Sequence, residues 1–83
     1  MWIARILWAL EWAARHDPGA KSAAEIARIL TENGVRVPPT NAARAFRTPK
    51  DDPRRTGLCE EPGEQRYVIS AAGRRMLFEL LGG

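Results

Sequence analysis

Apolar residues recur at helical spacing from the front of the chain. Ile3, Ile6, Leu7, Leu10, Ala13 and Ala14 share one broad face of a helix predicted over 2–16, the stripe of a core-facing helix. Pro18 disfavours helical backbone at Asp17 and Gly19 follows, so the helix stops there. Ser22, with Glu25 three residues on, completes a capping-box pattern. It opens a second helix over 22–33 that buries Ala23 or Ala24, Ile26, Ala27 and Leu30. Asn33-Gly34 ends it by a left-handed termination. Val35-Arg36-Val37, ahead of Pro38 and Pro39, is extended.

The third apolar cluster is shorter. Thr40 caps a helix predicted over 40–48, with Ala42, Ala43 and Phe46 facing inward and Pro49 behind it. Barely two turns long, it is too short to hold by itself and must be anchored by packing. From 54 to 69 the pattern changes to two short strands around a Glu61-Pro62-Gly63-Glu64 turn. Leu58 precedes the turn, and Tyr67-Val68-Ile69 brings β propensity to the second strand. Ser70 then caps a helix over 70–81 that carries Gly73, Met76, Leu77, Leu80 and Leu81 on one face. The whole pattern predicts one α+β domain over 1–83, mostly helical, with a three-helix core, a two-stranded hairpin and a C-terminal helix.

That order resembles a winged helix-turn-helix domain at two specific places. Ser22-Ala23-Ala24-Glu25-Ile26-Ala27 is similar to the second helix of that superfamily, where a capping Ser or Thr precedes a Glu-Ile-Ala triplet. The run from Tyr67 to Leu77 resembles its exit from the wing: aromatic, aliphatic, Ser or Thr, then Gly and a Leu-bearing helix. The resemblance spans nearly the whole chain. It departs at Thr31 to Pro39, a link longer than a tight helix-turn-helix connection, which bears on how the third helix is angled.

Composition narrows the setting. Eighty-three residues suit one core of modest size. The single cysteine, Cys59, has no partner within the chain, which fits a reducing, cytoplasmic environment. Arg5 and Glu11 interrupt the apolar run at the front, no cleavage site follows it, and nothing approaches a membrane span. The first helix opens without a cap, as in a domain excised from a longer chain.

The net charge of +3 comes from eleven Arg and two Lys against ten carboxylates. Arginine binds phosphate through a planar fork, so this bias favours a nucleic-acid partner. The cations also cluster: 36–55 holds Arg36, Arg44, Arg47, Lys50, Arg54 and Arg55 against Asp51 and Asp52.

In winged helices the third helix lies in the DNA major groove, and the hairpin reaches the backbone or the minor groove. The resemblance therefore implies base-reading roles for Asn41, Arg44, Arg47 and Thr48, which with Ala45 are the positions expected to face outward. Arg can bond guanine, Asn adenine, and the Thr methyl can meet thymine. Arg36, Lys50, Arg54 and Arg55 are the expected phosphate contacts, setting register without reading sequence. Glu60, Glu61 and Glu64 around the hairpin tip oppose deep insertion of the wing.

A second surface lies on the first helix. Trp8 and Trp12 fall among Ala4, Arg5, Glu11 and Arg15, on the expected solvent side, and Trp concentrates where binding energy does. They point to a protein interface, either a homodimer built with the C-terminal helix or docking to another domain. The alternative is that the fourth helix folds back and covers them.

Catalysis finds little to use. His16 closes the first helix, where it suits the dipole. Cys59 sits in a strand as a small buried hydrophobe. No second Cys or His completes a zinc site, and no glycine-rich cofactor loop is present, so no catalytic, metal or cofactor site is expected. Two functions follow: sequence-dependent duplex DNA binding, as a transcriptional regulator or the recognition module of a larger system, or a protein-interaction module working through Trp8 and Trp12.

Overall fold

The apolar stripe of the first helix serves two packing centres at once in the computed structural model, which describes residues 2–50 and 52–82. Asp51, counted above in the basic segment, lies outside them. The elements run α1 (Trp2–His16), α2 (Ala23–Glu32), α3 (Pro39–Ala45), β1 (Cys59–Gly63), β2 (Arg66–Ile69) and α4 (Ala71–Leu80). Ile6, Ala9, Leu10 and Ala13 of α1 face the main core, with Ile26, Ala27, Ile29 and Leu30 of α2 and with Phe46, Cys59 and Tyr67. Leu7, one position around the helix, joins Leu58 and Leu77 in a smaller cluster. The buried face is therefore rotated from the one expected: Ala9 is inside and Ala14 is exposed.

The capping box predicted for the second helix forms. Ser22 Oγ accepts from the Glu25 N–H at 3.2 Å, and Glu25 Oε1 accepts from the Ser22 N–H at 3.0 Å. The bond from the Ser22 N–H is the main cause holding the Glu25 carboxyl below its ordinary range. At the other end Gly34 takes φ 91°, and the Val35 N–H reaches back to the Leu30 carbonyl at 2.8 Å. The long link to α3 is pinned by Val37, which is buried. Its N–H and C=O both bond the Thr31 hydroxyl, at 3.3 and 3.4 Å.

Helix α3 starts one residue before the predicted cap. Pro38 stands at the cap position without a side-chain bond, and Pro39 fills the first turn, where its fixed φ suits a helix and its missing N–H costs nothing. Thr40 lies within the helix, exposed. The helix closes at Ala45, so Arg47 and Thr48 belong to the turn after it. Ala42, Ala45 and Phe46 are buried; Ala45 was expected to face outward, but α1 lies along that side.

The hairpin pairs Cys59 with Ile69, Glu60 with Val68 and Gly63 with Arg66, with an irregularity between Glu60 and Gly63. The turn falls on Glu64-Gln65, later than predicted, with Gln65 at φ 58°. Two features favour this. Pro62 falls in the irregular stretch, where its missing N–H takes no rung from the ladder. Glu61 accepts the Gln65 N–H at 2.7 Å.

A third backbone piece joins the hairpin by a single bridge. Lys21 and Tyr67 exchange both N–H···O bonds, each at 2.9 Å, so the link between α1 and α2 adds to the free edge of β2. Ser70 caps α4 as predicted, accepting from the Gly73 N–H at 3.0 Å. Only Gly73 and Leu77 of the predicted apolar face are buried. Met76 and Leu80 are exposed at 37% and 43%, and Phe78 and Leu81 at 60% and 70%, because α4 meets the body of the molecule along a single narrow edge.

Candidate nucleic-acid interface

Three of the four base-reading candidates come together. Asn41, Arg44 and Thr48 line one shallow cleft with Ala45 and with Trp2 of α1. Arg44 is exposed, and Asn41 and Thr48 are half-buried. The Thr48 hydroxyl donates to the Arg44 carbonyl at 2.9 Å, leaving its methyl group and its acceptor capacity for a partner. Arg47 lies apart from this group. It lines a second cleft, between the start of α2 and the hairpin, with Ser22, Gln65 and Tyr67.

Arg54, one of the expected phosphate contacts, is engaged within the chain itself. Its Nε bonds both carboxylate oxygens of Asp52, at 3.0 and 3.1 Å. Nη2 bonds Asp52 Oδ2 at 2.8 Å and the Phe46 carbonyl at 2.7 Å, and Nη1 reaches Glu61 at 2.9 Å. The guanidinium also lies 5.8 and 5.7 Å from the ring centroids of Phe46 and Tyr67, which stack on each other 3.8 Å apart and 6° from parallel. With these bonds made, Arg54 is a clamp between α3 and the hairpin, and only one Nη1 N–H is left for a phosphate. Burial pushes the Asp52 carboxyl upward, but the hydrogen bonds and charge of Arg54 outweigh it and hold Asp52 below the usual range. The same bonds push Arg54 upward.

The remaining phosphate candidates are differently situated. Arg36, Lys50 and Arg55 are exposed, and like Arg44 and Arg47 they have no carboxylate within salt-bridge distance among the described residues. The pairs that do form engage Arg15, Lys21, Arg54, Arg66 and Arg74. Unpaired cations are thus concentrated on α3 and the segments flanking it, while Arg5, Arg28 and Arg75 stand singly on α1, α2 and α4. At the hairpin tip Glu61 turns back to Arg54 and Gln65, and Glu60 and Glu64 remain exposed.

Trp8 and Trp12 are half-buried rather than on a free solvent face. Both pack against the core and line a groove between α1 and α4 of about 320 Å³, together with Leu77, Phe78 and Leu81. Helix α4 flanks the tryptophans without covering them. Glu11 bridges the rim, bonding Arg15 at 3.3 Å and Arg74 at 2.8 Å. His16 is exposed, its ring 4.8 Å from that of Trp12.

Cys59 is buried, and burial pushes its thiol up to about 12, far from the thiolate a nucleophile needs. Among the described residues no three His, Cys, Asp or Glu side chains gather where a metal could sit. No described helix is long and apolar enough to cross a membrane. No protein-family model, curated protein or solved structure matches the chain.

Sequence reasoning missed two members of this face. Trp2 and Arg5 belong to α1 by sequence, yet Trp2 lines the α3 cleft, and the Arg5 guanidinium lies 5.4 Å from its ring centroid. The signal was weak: an aromatic at the start of a helix, at the edge of the main stripe.

Proposed function

We propose that the chain is a winged-helix domain that binds duplex DNA sequence-dependently, as a transcriptional regulator or the recognition module of a larger system. The observation that carries this reading is the sorting of the cations. Within 36–55, Arg36, Arg44, Arg47, Lys50 and Arg55 are left without a carboxylate among the described residues and Arg54 is paired, whereas outside it Arg15, Lys21, Arg66 and Arg74 are matched and Arg5, Arg28 and Arg75 are not. A surface kept basic in this way is the electrostatic footprint of a polyanion partner. The winged-helix reading draws support from the order of three helices and a hairpin, and from the Lys21 bridge that adds a third backbone piece to that hairpin. In this reading Arg44 and Asn41 face base edges, Thr48 offers its methyl group, and Arg47 takes a base or a phosphate nearer the hairpin. Arg36, Lys50 and Arg55 take phosphates. The acidic hairpin tip stays off the backbone.

Fluorescence anisotropy against duplex DNA, single strands and RNA at two salt concentrations tests the reading. Duplex affinity should fall steeply with salt, and removing Arg36, Lys50 or Arg55 should lower the slope by about one. Arg44→Ala should cost roughly 1–3 kcal/mol on a preferred site. Equal, weak binding to all three nucleic acids would overturn it.

The second reading is a protein-interaction module, and the exposure of Phe78 and Leu81 beside the Trp8/Trp12 groove favours it. It prevails if no duplex binds above non-specific levels while Trp12→Ala abolishes a partner complex.

A further inference from the structure

Trp2 is not among the side chains that build either core cluster, and it is 38% exposed. It lines two clefts that also share Ala45. In one stand Asn41, Arg44 and Thr48. The other is a cleft of about 360 Å³ with an apolar lining of Ile3, Leu58 and Met76, and with Lys50 and Thr56 as its polar groups. Arg5 lies over the ring at 5.4 Å. A large aromatic side chain left partly wet among Arg5, Arg44 and Lys50 suits a partner that is both flat and anionic.

We infer that Trp2 is a stacking platform for an unpaired nucleobase, with the adjoining phosphates held by Lys50 and Arg44. The inference rests on the duplex DNA reading above and adds a class of ligand to it. Charge complementarity selects the occupant: an apolar protein side chain would fill the cleft beside Met76 but would leave Arg5, Arg44 and Lys50 unmatched. No described carboxylate lines either cleft. Pairing state follows from geometry. A base within an intact duplex shows only its edge to a protein, and its flat face becomes available when it leaves the stack. The platform therefore takes a base at a strand end, at a bulge or at an opened step, while α3 holds the neighbouring duplex. Stacking on Trp tolerates any base, so this subsite adds affinity for a DNA structure rather than for a sequence.

The test uses two fluorescein-labelled probes, a blunt duplex and the same duplex carrying one unpaired thymidine, titrated with wild type, Trp2→Ala and Trp2→Phe. Wild type should bind the bulged probe about tenfold more tightly than the blunt one. Trp2→Ala should lose that preference, read as the ratio of the two affinities so that any loss common to both probes cancels, and Trp2→Phe should keep most of it. Thermal melts of both variants confirm that the fold survives. Equal affinity of wild type for the two probes, or a preference that persists in Trp2→Ala, overturns the inference while leaving duplex binding intact. Absence of any duplex binding by wild type overturns the DNA reading itself and this inference with it.

Discussion

Arg54 Nη2 donates to the backbone carbonyl of Phe46 at 2.7 Å. That bond occupies a carbonyl at the C-terminal end of α3 that the helix itself leaves without a partner, and it ties the helix end to the segment leading into the hairpin. Since the same guanidinium grips Asp52 and Glu61, one side chain sets the angle between the candidate recognition helix and the hairpin. Arg54→Ala leaves the buried Asp52 carboxylate uncompensated and should cost about 2–4 kcal/mol. Arg54→Lys should recover only part of this, because an ammonium cannot reproduce the fork. Denaturant melts measure both. The salt slope for duplex binding should not change in Arg54→Lys, unlike that of Lys50→Ala.

Gly73 should respond with the opposite sign from a helical glycine in the open. A Cβ there would collide with the Leu58 carbonyl and with Ile69. An exposed Gly→Ala change within a helix gains about 1 kcal/mol, whereas Gly73→Ala should lose about 2 kcal/mol as α4 is pushed off the hairpin. Chemical denaturation decides the sign.

Acid should weaken the fold through Asp52, Glu25 and Glu61. Each carboxyl is held below its ordinary value, 3.8 for Asp and 4.5 for Glu. The unfolded chain takes up these protons first, so the contribution is complete above about pH 5 and is lost as pH falls through the folded values. Glu25→Gln keeps the cap but removes one titration, and should flatten the acid limb of a plot of Tm against pH. At the alkaline end the Cys59 thiol is raised from 9.0 to about 12. There the unfolded chain gives up its proton first, and stability falls as pH rises above 9.0.

Neighbouring positions on α4 should separate packing from surface. Leu77 closes the cluster with Leu7 and Leu58, and Leu77→Ala should cost about 2–4 kcal/mol. Phe78→Ser combined with Leu81→Ser should change stability by no more than about 0.5 kcal/mol per site, since both residues are largely exposed. The double variant should bind less of a hydrophobic dye, and sedimentation would register any self-association it removes.

Local chemistry was readable at the helix ends where a residue acts within one turn of backbone, though not at the start of α3 or at the hairpin turn. Ser22 with Glu25, Ser70 with Gly73, and Gly34 each work within one turn of backbone, and each formed as predicted. The start of α3 was misread because Thr40 and Pro39 are both good first-turn residues, and the packing of Ala42 and Phe46 decided between them. Arg54 and Arg55 are indistinguishable by sequence. One is the clamp and the other is exposed only because Asp52, Glu61 and the Phe46 carbonyl converge on a single point. Trp2 meets α3 for a similar reason, through the approach of two helices. The apolar face of α4 was overestimated because periodicity reports which residues share a side, and not how wide a partner that side finds.

The pair of backbone bonds between Lys21 and Tyr67 bears on how the molecule comes apart. It fastens the passage between the first two helices to a strand formed late in the chain, so the outer edge of the hairpin is covered only when both halves are in place. Opening the hairpin requires releasing the front of the chain as well, which couples the two halves into one cooperative unit. The amide protons of Lys21 and Tyr67 should accordingly be among the slowest to exchange outside the helices, at rates that track global unfolding. A cut in the link between α1 and α2 would then loosen the hairpin from more than forty residues away.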